Sequence, residues 1–147
     1  MSVTYIIPVM TNAAIQEPTF LILTALAVEP LHGYGVIQQV EALSDGRVRL
    51  RTGTLYGALD RLVTDSLIVG DREEIVDGRL RRYYRLTDDG AAVLDAEAAR
   101  LSRNVEAAQA RLRERARLSQ RAGRKAVRPA GRTTGRPAAP GLALSHG

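Results

Sequence analysis

Apolar residues in the first third of the chain are spaced as in two consecutive helices. The first helix has Pro18 in its opening turn and is apolar on most sides between Phe20 and Ala27. This pattern predicts a buried helix that ends at Pro30. The second helix follows a glycine-rich turn that ends at Gly35, and it stops before Gly46.

A third apolar stripe lies between residues 52 and 65, where Leu55, Leu59 and Leu62 fall at i, i+4 and i+7. The other face is polar, and the first turn carries hydroxyl residues and no carboxylate. A helix N-terminus of this kind suits an approach to phosphate, and Gly53 lets the backbone come close to a partner. The segment therefore fits a recognition helix in a DNA major groove, but equally an ordinary amphipathic helix.

Two runs after this helix predict a β-hairpin, the first by its alternation with polar residues toward Asp71 and the second as the returning strand. The first starts at Leu67-Ile-Val69 and the second is Arg81-Arg-Tyr-Tyr-Arg-Leu86, with a turn at Asp77-Gly78 between them. Three helices followed by a hairpin give the order of a winged helix-turn-helix. The expected fold class is mainly α with a small β-hairpin. The arginines near the hairpin tip either contact DNA phosphates or are only solvated surface charges.

A final helix is predicted to begin with Thr87 or Asp88 as its cap, and it carries apolar residues at alternating steps of three and four. One helix cannot bury such a seam by itself, so we expect the same helix of a second subunit to cover it in a homodimer. The first residue of this apolar seam is Ala91. The predicted dimerisation residues are Leu94, Ala98, Leu101, Val105, Ala108 and Leu112.

Charge is distributed unevenly along the 147 residues. Residues 116–147 hold seven basic residues and no acid, so the formal charge of +5 leaves a net −2 for residues 1–115. That stretch is rich in Gly and Pro and predicts a disordered basic tail, which either adds nonspecific DNA affinity or is an unconstrained extension. The predicted parts are an N-terminal arm (1–16), a winged helix-turn-helix (17–87), a dimerisation helix (88–115) and the tail (116–147).

The composition excludes several kinds of site. There is no Cys, and His32 and His146 are too far apart in the sequence to suggest zinc, so we predict neither disulfide, metal nor cofactor. We expect no enzyme, because no nucleophile–base pair or phosphate loop is present.

Residues 1–16 lack the features of a secretory signal, and no apolar run reaches the roughly 18 residues of a membrane span. A cytoplasmic, nucleoid-associated protein is therefore expected. Met10 offers a second start, which leaves residues 1–9 as an added extension or a small arm.

Three segments in order resemble the PadR family of bacterial transcriptional regulators. Leu31-His-Gly-Tyr-Gly35 looks like the family's "hGYe" turn, and residues 51–62 look like its "tLYpaLkrL" recognition helix. Residues 66–68 correspond to its "GLI" strand. Residues 78–90 look like its wing and like the "yYrLTekG" motif at the start of its dimerisation helix. The resemblance covers about residues 17–112, and the single C-terminal helix resembles the shorter subfamily.

This resemblance implies a homodimeric repressor that binds double-stranded DNA at a roughly palindromic operator and is released by a small aromatic or drug-like effector. Each third helix would enter a major groove, with the wing beside it. Gly57 departs from a frequent Pro, and Ser66 from the usual Gly. Carried over by position, the candidate DNA contacts are Thr52, Thr54, Tyr56 and Arg61 in the third helix and Arg79, Arg81 and Arg82 in the wing.

The alternative function is a winged helix that serves as a protein-interaction module, without sequence-specific DNA binding. It predicts an apolar exposed face on the third helix. The polar face of residues 52–61 favours the DNA-binding regulator instead.

Overall fold

The structure of the protein is a computed structural model, and it describes residues 14–127 together with the single positions 131, 138 and 141. Residues 1–13 of the predicted arm and most of the predicted tail lie outside this range. The chain forms two compact units, one ending at Val105 and the other beginning at Glu106. The elements are α1 (Glu17–Ala25), β1 (Leu31–His32), α2 (Gly33–Leu43), α3 (Thr52–Thr64), β2 (Ile68–Val76), β3 (Arg79–Leu86) and α4 (Asp88–Ala126).

The core of the first unit lies where three helices meet the small sheet. The predicted stripe of α3 is confirmed, because Leu55 and Leu59 are fully buried and Leu62 is 4% exposed. These leucines share one core cluster with Ile22 of α1 and Val36 of α2. Burying each leucine stabilises the fold by about 1.5–3 kcal/mol. The burial of this stripe turns the polar face of α3 outward.

α1 ends earlier than its sequence pattern predicts. The helix stops at Ala25 with Leu26 as its C-cap, whereas the pattern placed its end at Pro30. Leu26 is 2% exposed and Val28 is 91% exposed. The chain therefore leaves the helix as soon as Leu26 has reached the core, several residues before the proline can act.

The wing is the hairpin of β2 and β3, and β1 adds a third strand in the order β1-β3-β2. Asp77 and Gly78 have φ of 50° and 75°, as a two-residue type I′ turn requires, which confirms the predicted tip. β2 is longer than the sequence pattern indicated, because its charged residues pair with β3 as far as Val76. The pattern did not predict β1, since two residues carry no alternation.

The start of α4 is anchored to the turn that follows α3. Thr87 Oγ1 donates a hydrogen bond to the Ser66 carbonyl at 2.7 Å and accepts one from the Gly90 N–H at 2.9 Å, so Thr87 is the cap. The Thr87 N–H also donates to the Leu67 carbonyl at 3.1 Å. Gly90 is buried against that carbonyl, and any side chain there would collide with its oxygen. These contacts fix the point at which α4 leaves the winged helix.

α4 is longer than the predicted dimerisation helix. It continues to Ala126, so the prediction that residues 116–126 belong to a disordered tail is wrong. The apolar seam fails at Arg115, but a helix does not need a seam. Ala, Arg, Leu and Gln are strong helix formers, and among residues 116–126 only Gly123 is a poor one.

Ser66 provides a test of the turn between α3 and β2. Its φ is 60°, a left-handed conformation that costs a residue with a Cβ about 1 kcal/mol or more. We expect Ser66→Gly to raise the free energy of unfolding by about 1 kcal/mol, measured as a higher urea midpoint. The backbone carbonyl that accepts from Thr87 stays in place. Ser102→Gly, in the exposed interior of α4, should instead lower the stability, and a loss at both positions would contradict the expectation.

Candidate nucleic-acid interface

The DNA contacts predicted in α3 all stand at exposed positions of this helix. Its first turn contains no acid, and Arg51, the residue before it, makes no side-chain capping bond. The first-turn N–H groups therefore receive no acceptor from the cap, which leaves a positive helix end at the surface. A Cβ on Gly53 would meet nothing within 4 Å, so this end is open. The exposed predicted residues are Thr52, Thr54, Tyr56 and Arg61.

Arg61 lies back along α3 over Gly57. A Cβ on Gly57 would stand 3.8 Å from Arg61 Nη1, an ordinary contact distance. Helical spacing places Thr54 on the same face, seven residues before Arg61. The guanidinium and the Thr54 hydroxyl therefore belong to one polar surface.

Tyr56 joins α3 to the start of α2. Its side chain is 44% exposed, and the rest of it packs at Gly33. A Cβ on Gly33 would come within 2.8 Å of Tyr56 Oη and 3.1 Å of its Cζ. Because Gly33 has no side chain, the Tyr56 ring can pack directly against its backbone. Tyr56 is both a packing residue and part of the exposed surface.

The three predicted wing arginines do not form one cluster. Side chains alternate between the faces of a strand, so Arg79 and Arg81 lie on one face of β3 and Arg82 on the other. Arg82 Nε donates to Glu73 Oε1 at 3.1 Å across the hairpin. Within the described residues, Arg79 and Arg81 make no ion pair of 4.0 Å or less, although Arg81 lies opposite Glu74 in the register. The charge most available to DNA is therefore that of Arg79 and Arg81.

A side-chain cluster that the sequence did not indicate holds the two strands of the wing together. The Arg72 guanidinium lies 3.9 Å from the Tyr83 ring centroid, and its Nε donates to Glu74 Oε1 at 3.0 Å. Tyr83 Oη donates to Glu74 Oε2 at 3.0 Å. The bond from Arg72, and then that from Tyr83, lowers the pKa of Glu74. Sequence alternation could not reveal this cluster, because Arg72 lies in the register shift between Gly70 and Glu73.

His32 connects the wing to α2. Its ring meets the Tyr83 ring edge-on with centroids 5.3 Å apart, and its Nδ1 accepts the Gly35 N–H at 3.2 Å. Burial lowers the pKa of His32, Arg81 lowers it further, and Glu74 opposes the shift. The imidazole is therefore neutral at neutral pH, and this state keeps Nδ1 as the cap acceptor of α2.

The apolar seam of α4 is largely uncovered in the single chain. Leu94 packs against the core of its own unit. Beyond it, Leu101 is 37%, Val105 53% and Leu112 62% exposed. Ala98 and Ala108 are exposed as well. The structure thus brings all the predicted dimerisation residues except Leu94 to the surface.

Other kinds of site find little support in the described part of the chain. No three His, Asp or Glu side chains between residues 14 and 127 are grouped as metal ligands. None of the described helices has the length and apolar character to cross a membrane.

A three-helix domain, an arginine-bearing hairpin and a long C-terminal helix define a winged helix-turn-helix protein. Residues 22–96 match the Transcriptional regulator PadR-like family, and the chain belongs to this family. This family consists of transcriptional regulators. Its single long C-terminal helix fits the short subfamily, as the sequence motifs predicted.

Individual relatives agree with this assignment. "Transcriptional regulator Rv3488" of Mycobacterium tuberculosis is 42% identical over 73 residues, which cover 50% of this chain and 64% of that protein, slightly less than two thirds. A "PadR-like Transcription factor from bacteroid fragilis" is 31% identical with a TM-score of 0.53, over 62% of this chain and 85% of that one. A PadR family regulator from Clostridium difficile has the same fold, with a TM-score of 0.56 at 23% identity over 66% of this chain and 99% of that one.

The close approach of Tyr56 to Gly33 can be tested by a double-mutant cycle. Gly33→Ala should lower the free energy of unfolding by about 1–3 kcal/mol, because the new methyl group overpacks against the Tyr56 hydroxyl. Tyr56→Phe should restore part of this loss, since it removes the atom 2.8 Å from the new Cβ.

Gly35→Ala is the matched control for this cycle. A Cβ on Gly35 would meet no atom closer than 3.6 Å, so this variant should keep or raise the stability. Equal losses in both alanine variants, or no rescue by Tyr56→Phe, would refute the packing role of Tyr56. The measurement is urea unfolding of the four variants and the wild type.

Proposed function

We propose that the protein is a homodimeric repressor that binds a roughly palindromic operator with two copies of α3. The observation that carries the proposal is the exposed first turn of α3, which contains no acid. Two such helices held about one DNA turn apart would enter successive major grooves. A repressor of this kind acts by occupying promoter DNA.

The residues of α3 have distinct parts in this proposal. Thr52, next to the open N-terminus of the helix, binds a backbone phosphate together with the first-turn N–H groups. Thr54 and Arg61 share one surface and reach base edges, where a methyl group suits thymine and a guanidinium suits guanine. Tyr56 contacts the backbone from a position set by Gly33.

The wing supplies phosphate contacts beside the major groove. Arg79 and Arg81 are assigned the main contacts because they lie together and form no recorded ion pair with a described residue. Arg82 is assigned a smaller part, since binding DNA would require it to give up Glu73.

Dimerisation through α4 is supported by the exposed stripe that contains Leu101, Val105 and Leu112. An unbroken seam at heptad spacing is typical of helices that pack against another copy. Release by a small aromatic or drug-like effector belongs to the proposal through the family resemblance alone. The alternative of a protein-interaction module without DNA binding is not retained, because the family consists of DNA-binding regulators.

DNA binding by the wing is tested with duplex fragments selected from genomic DNA by the protein itself. Arg79→Ala with Arg81→Ala should weaken binding and reduce the slope of log K against log salt by about 2, since each phosphate contact contributes about 0.9. Arg82→Ala is the matched control and should change the slope less, because Arg82 is already paired with Glu73. An unchanged slope in the double variant would remove the wing from the interface.

Base recognition by α3 is measured in the same assay. Thr54→Ala with Arg61→Ala should reduce the preference for selected over random duplex by about 1–3 kcal/mol for each lost base contact. A preference equal to that of the wild type would show that these two residues do not read bases.

The dimer is tested by light scattering of the purified protein. Leu101→Asp should yield monomers, because it places a charge in the centre of the seam. Leu80→Asp, an exposed leucine on the wing, should leave the oligomeric state unchanged. A persistent dimer of the Leu101 variant would place the interface elsewhere.

A further inference from the structure

The C-terminal half of α4 has a strongly basic surface. The basic segment, defined here as residues 109–126, contains seven basic residues and one acid, which gives it a net charge of +6. All of its residues are exposed and helical. The basic residues are Arg111, Arg113, Arg115, Arg117, Arg121, Arg124 and Lys125.

Helical spacing arranges these charges in an ordered way. Arg113, Arg117, Arg121 and Lys125 follow one another at steps of four residues and form one ridge along the helix. At 1.5 Å per residue this ridge is about 18 Å long. The opposite face carries mostly small residues, Ala116, Ser119, Gly123 and Ala126 among them. The segment therefore has a cationic side and a side with little apolar area.

The ridge contains almost no compensating charge. In the described part of the chain, Arg117 pairs with Glu114, and this is the only ion pair of the segment. Like charges four residues apart destabilise a helix, so the segment carries repulsion that a bound polyanion would relieve. Between residues 14 and 105, Arg47, Arg49, Arg72, Arg82 and Arg85 pair with carboxylates, whereas Arg79 and Arg81 do not.

We propose that the basic segment is a second DNA-binding surface, which contacts the sugar-phosphate backbone of duplex DNA without regard to sequence. This rests on the DNA-binding function and adds to the contacts assigned to α3 and the wing. Six of the seven cations are arginines, whose planar donors suit phosphate oxygens. Duplex DNA presents a charge about every 1.7 Å along its axis, so each cation of the ridge has phosphates near it.

An anionic membrane is a less suitable partner for this surface. A helix that lies on a lipid surface needs a broad face of large apolar residues opposite its charges. Leu112 and Leu118 are the only large apolar residues of the segment, and Leu118 lies between Lys125 and Arg111 around the helix axis. The charge pattern therefore favours a polyanion that needs no apolar insertion.

The experiment measures the binding of the full chain to a random-sequence duplex over a range of salt concentrations. The test variant changes the ridge to glutamine: Arg113→Gln, Arg117→Gln, Arg121→Gln and Lys125→Gln. The slope of log K against log salt should fall by about 3–4, and affinity at low salt by at least about tenfold. Glutamine is a good helix former, so α4 should keep its helical circular dichroism.

The matched control keeps the charge and changes the side chains: Arg113→Lys, Arg117→Lys and Arg121→Lys. It should retain the salt slope of the wild type. An unchanged slope in the glutamine variant overturns the proposal. Equal reductions in the glutamine and lysine variants overturn it as well, because the effect would then not follow charge.

Two further measurements distinguish DNA binding by the basic segment from membrane binding and from the roles proposed for α3. If the glutamine variant loses binding to phosphatidylserine vesicles and keeps its DNA slope, the surface serves a membrane and the proposal is wrong. In the Thr54→Ala, Arg61→Ala background, the ridge-dependent slope should persist while operator preference falls. If the ridge-dependent slope persists in that background but operator preference does not fall, the roles assigned to Thr54 and Arg61 are wrong and the basic segment stays supported.

Discussion

The burial of the leucine stripe of α3 is the constraint on which the rest of the structure depends. Leu55 and Leu59 are fully buried in the cluster formed with α1 and α2, so the helix has only one orientation that satisfies its apolar face. That orientation turns the acid-free first turn to solvent and places its last turn against the sheet. From there, the bonds of Thr87 to Ser66 and Leu67 set the start of α4. The helix proposed to read DNA and the start of α4 are thus tied to one core.

Charge is divided among three surfaces with different chemistry. The face of α3 has few charges and several hydroxyl groups, which suits contacts that depend on the base sequence. In the wing, opposite charges pair across the strands, as between Arg82 and Glu73, so the hairpin is held in shape and only part of its arginine charge faces outward. The basic segment of α4 instead carries many cations and a single acid, so most of its charge is not compensated. Under the two proposals, specific and nonspecific affinity are carried by separate parts of the chain.

Much of the fold could be predicted, because its signals are local. The periodicity of Leu55, Leu59 and Leu62, the Asp77-Gly78 turn and the cap at Thr87 each reflect a few neighbouring residues. The predicted ends of α1 and α4 differ from the structure. An apolar or proline signal in the sequence does not by itself set where a helix ends. α1 ends at Ala25, and its C-cap Leu26 is buried in the core. The apolar seam ends before α4 does, because strong helix formers continue to Ala126.

The sequence by itself determined which residues form the candidate interface and which family the motifs resemble, because turn chemistry and apolar periodicity are properties of short segments. Tertiary structure decided how those residues are used. It placed Tyr56 over Gly33, paired Arg82 with Glu73, and built the cluster of Arg72, Glu74 and Tyr83 around a register shift. These outcomes depend on which strand faces which and on how closely two helices approach. Pairing and packing of that kind arise only when distant segments meet, so no local pattern carries them.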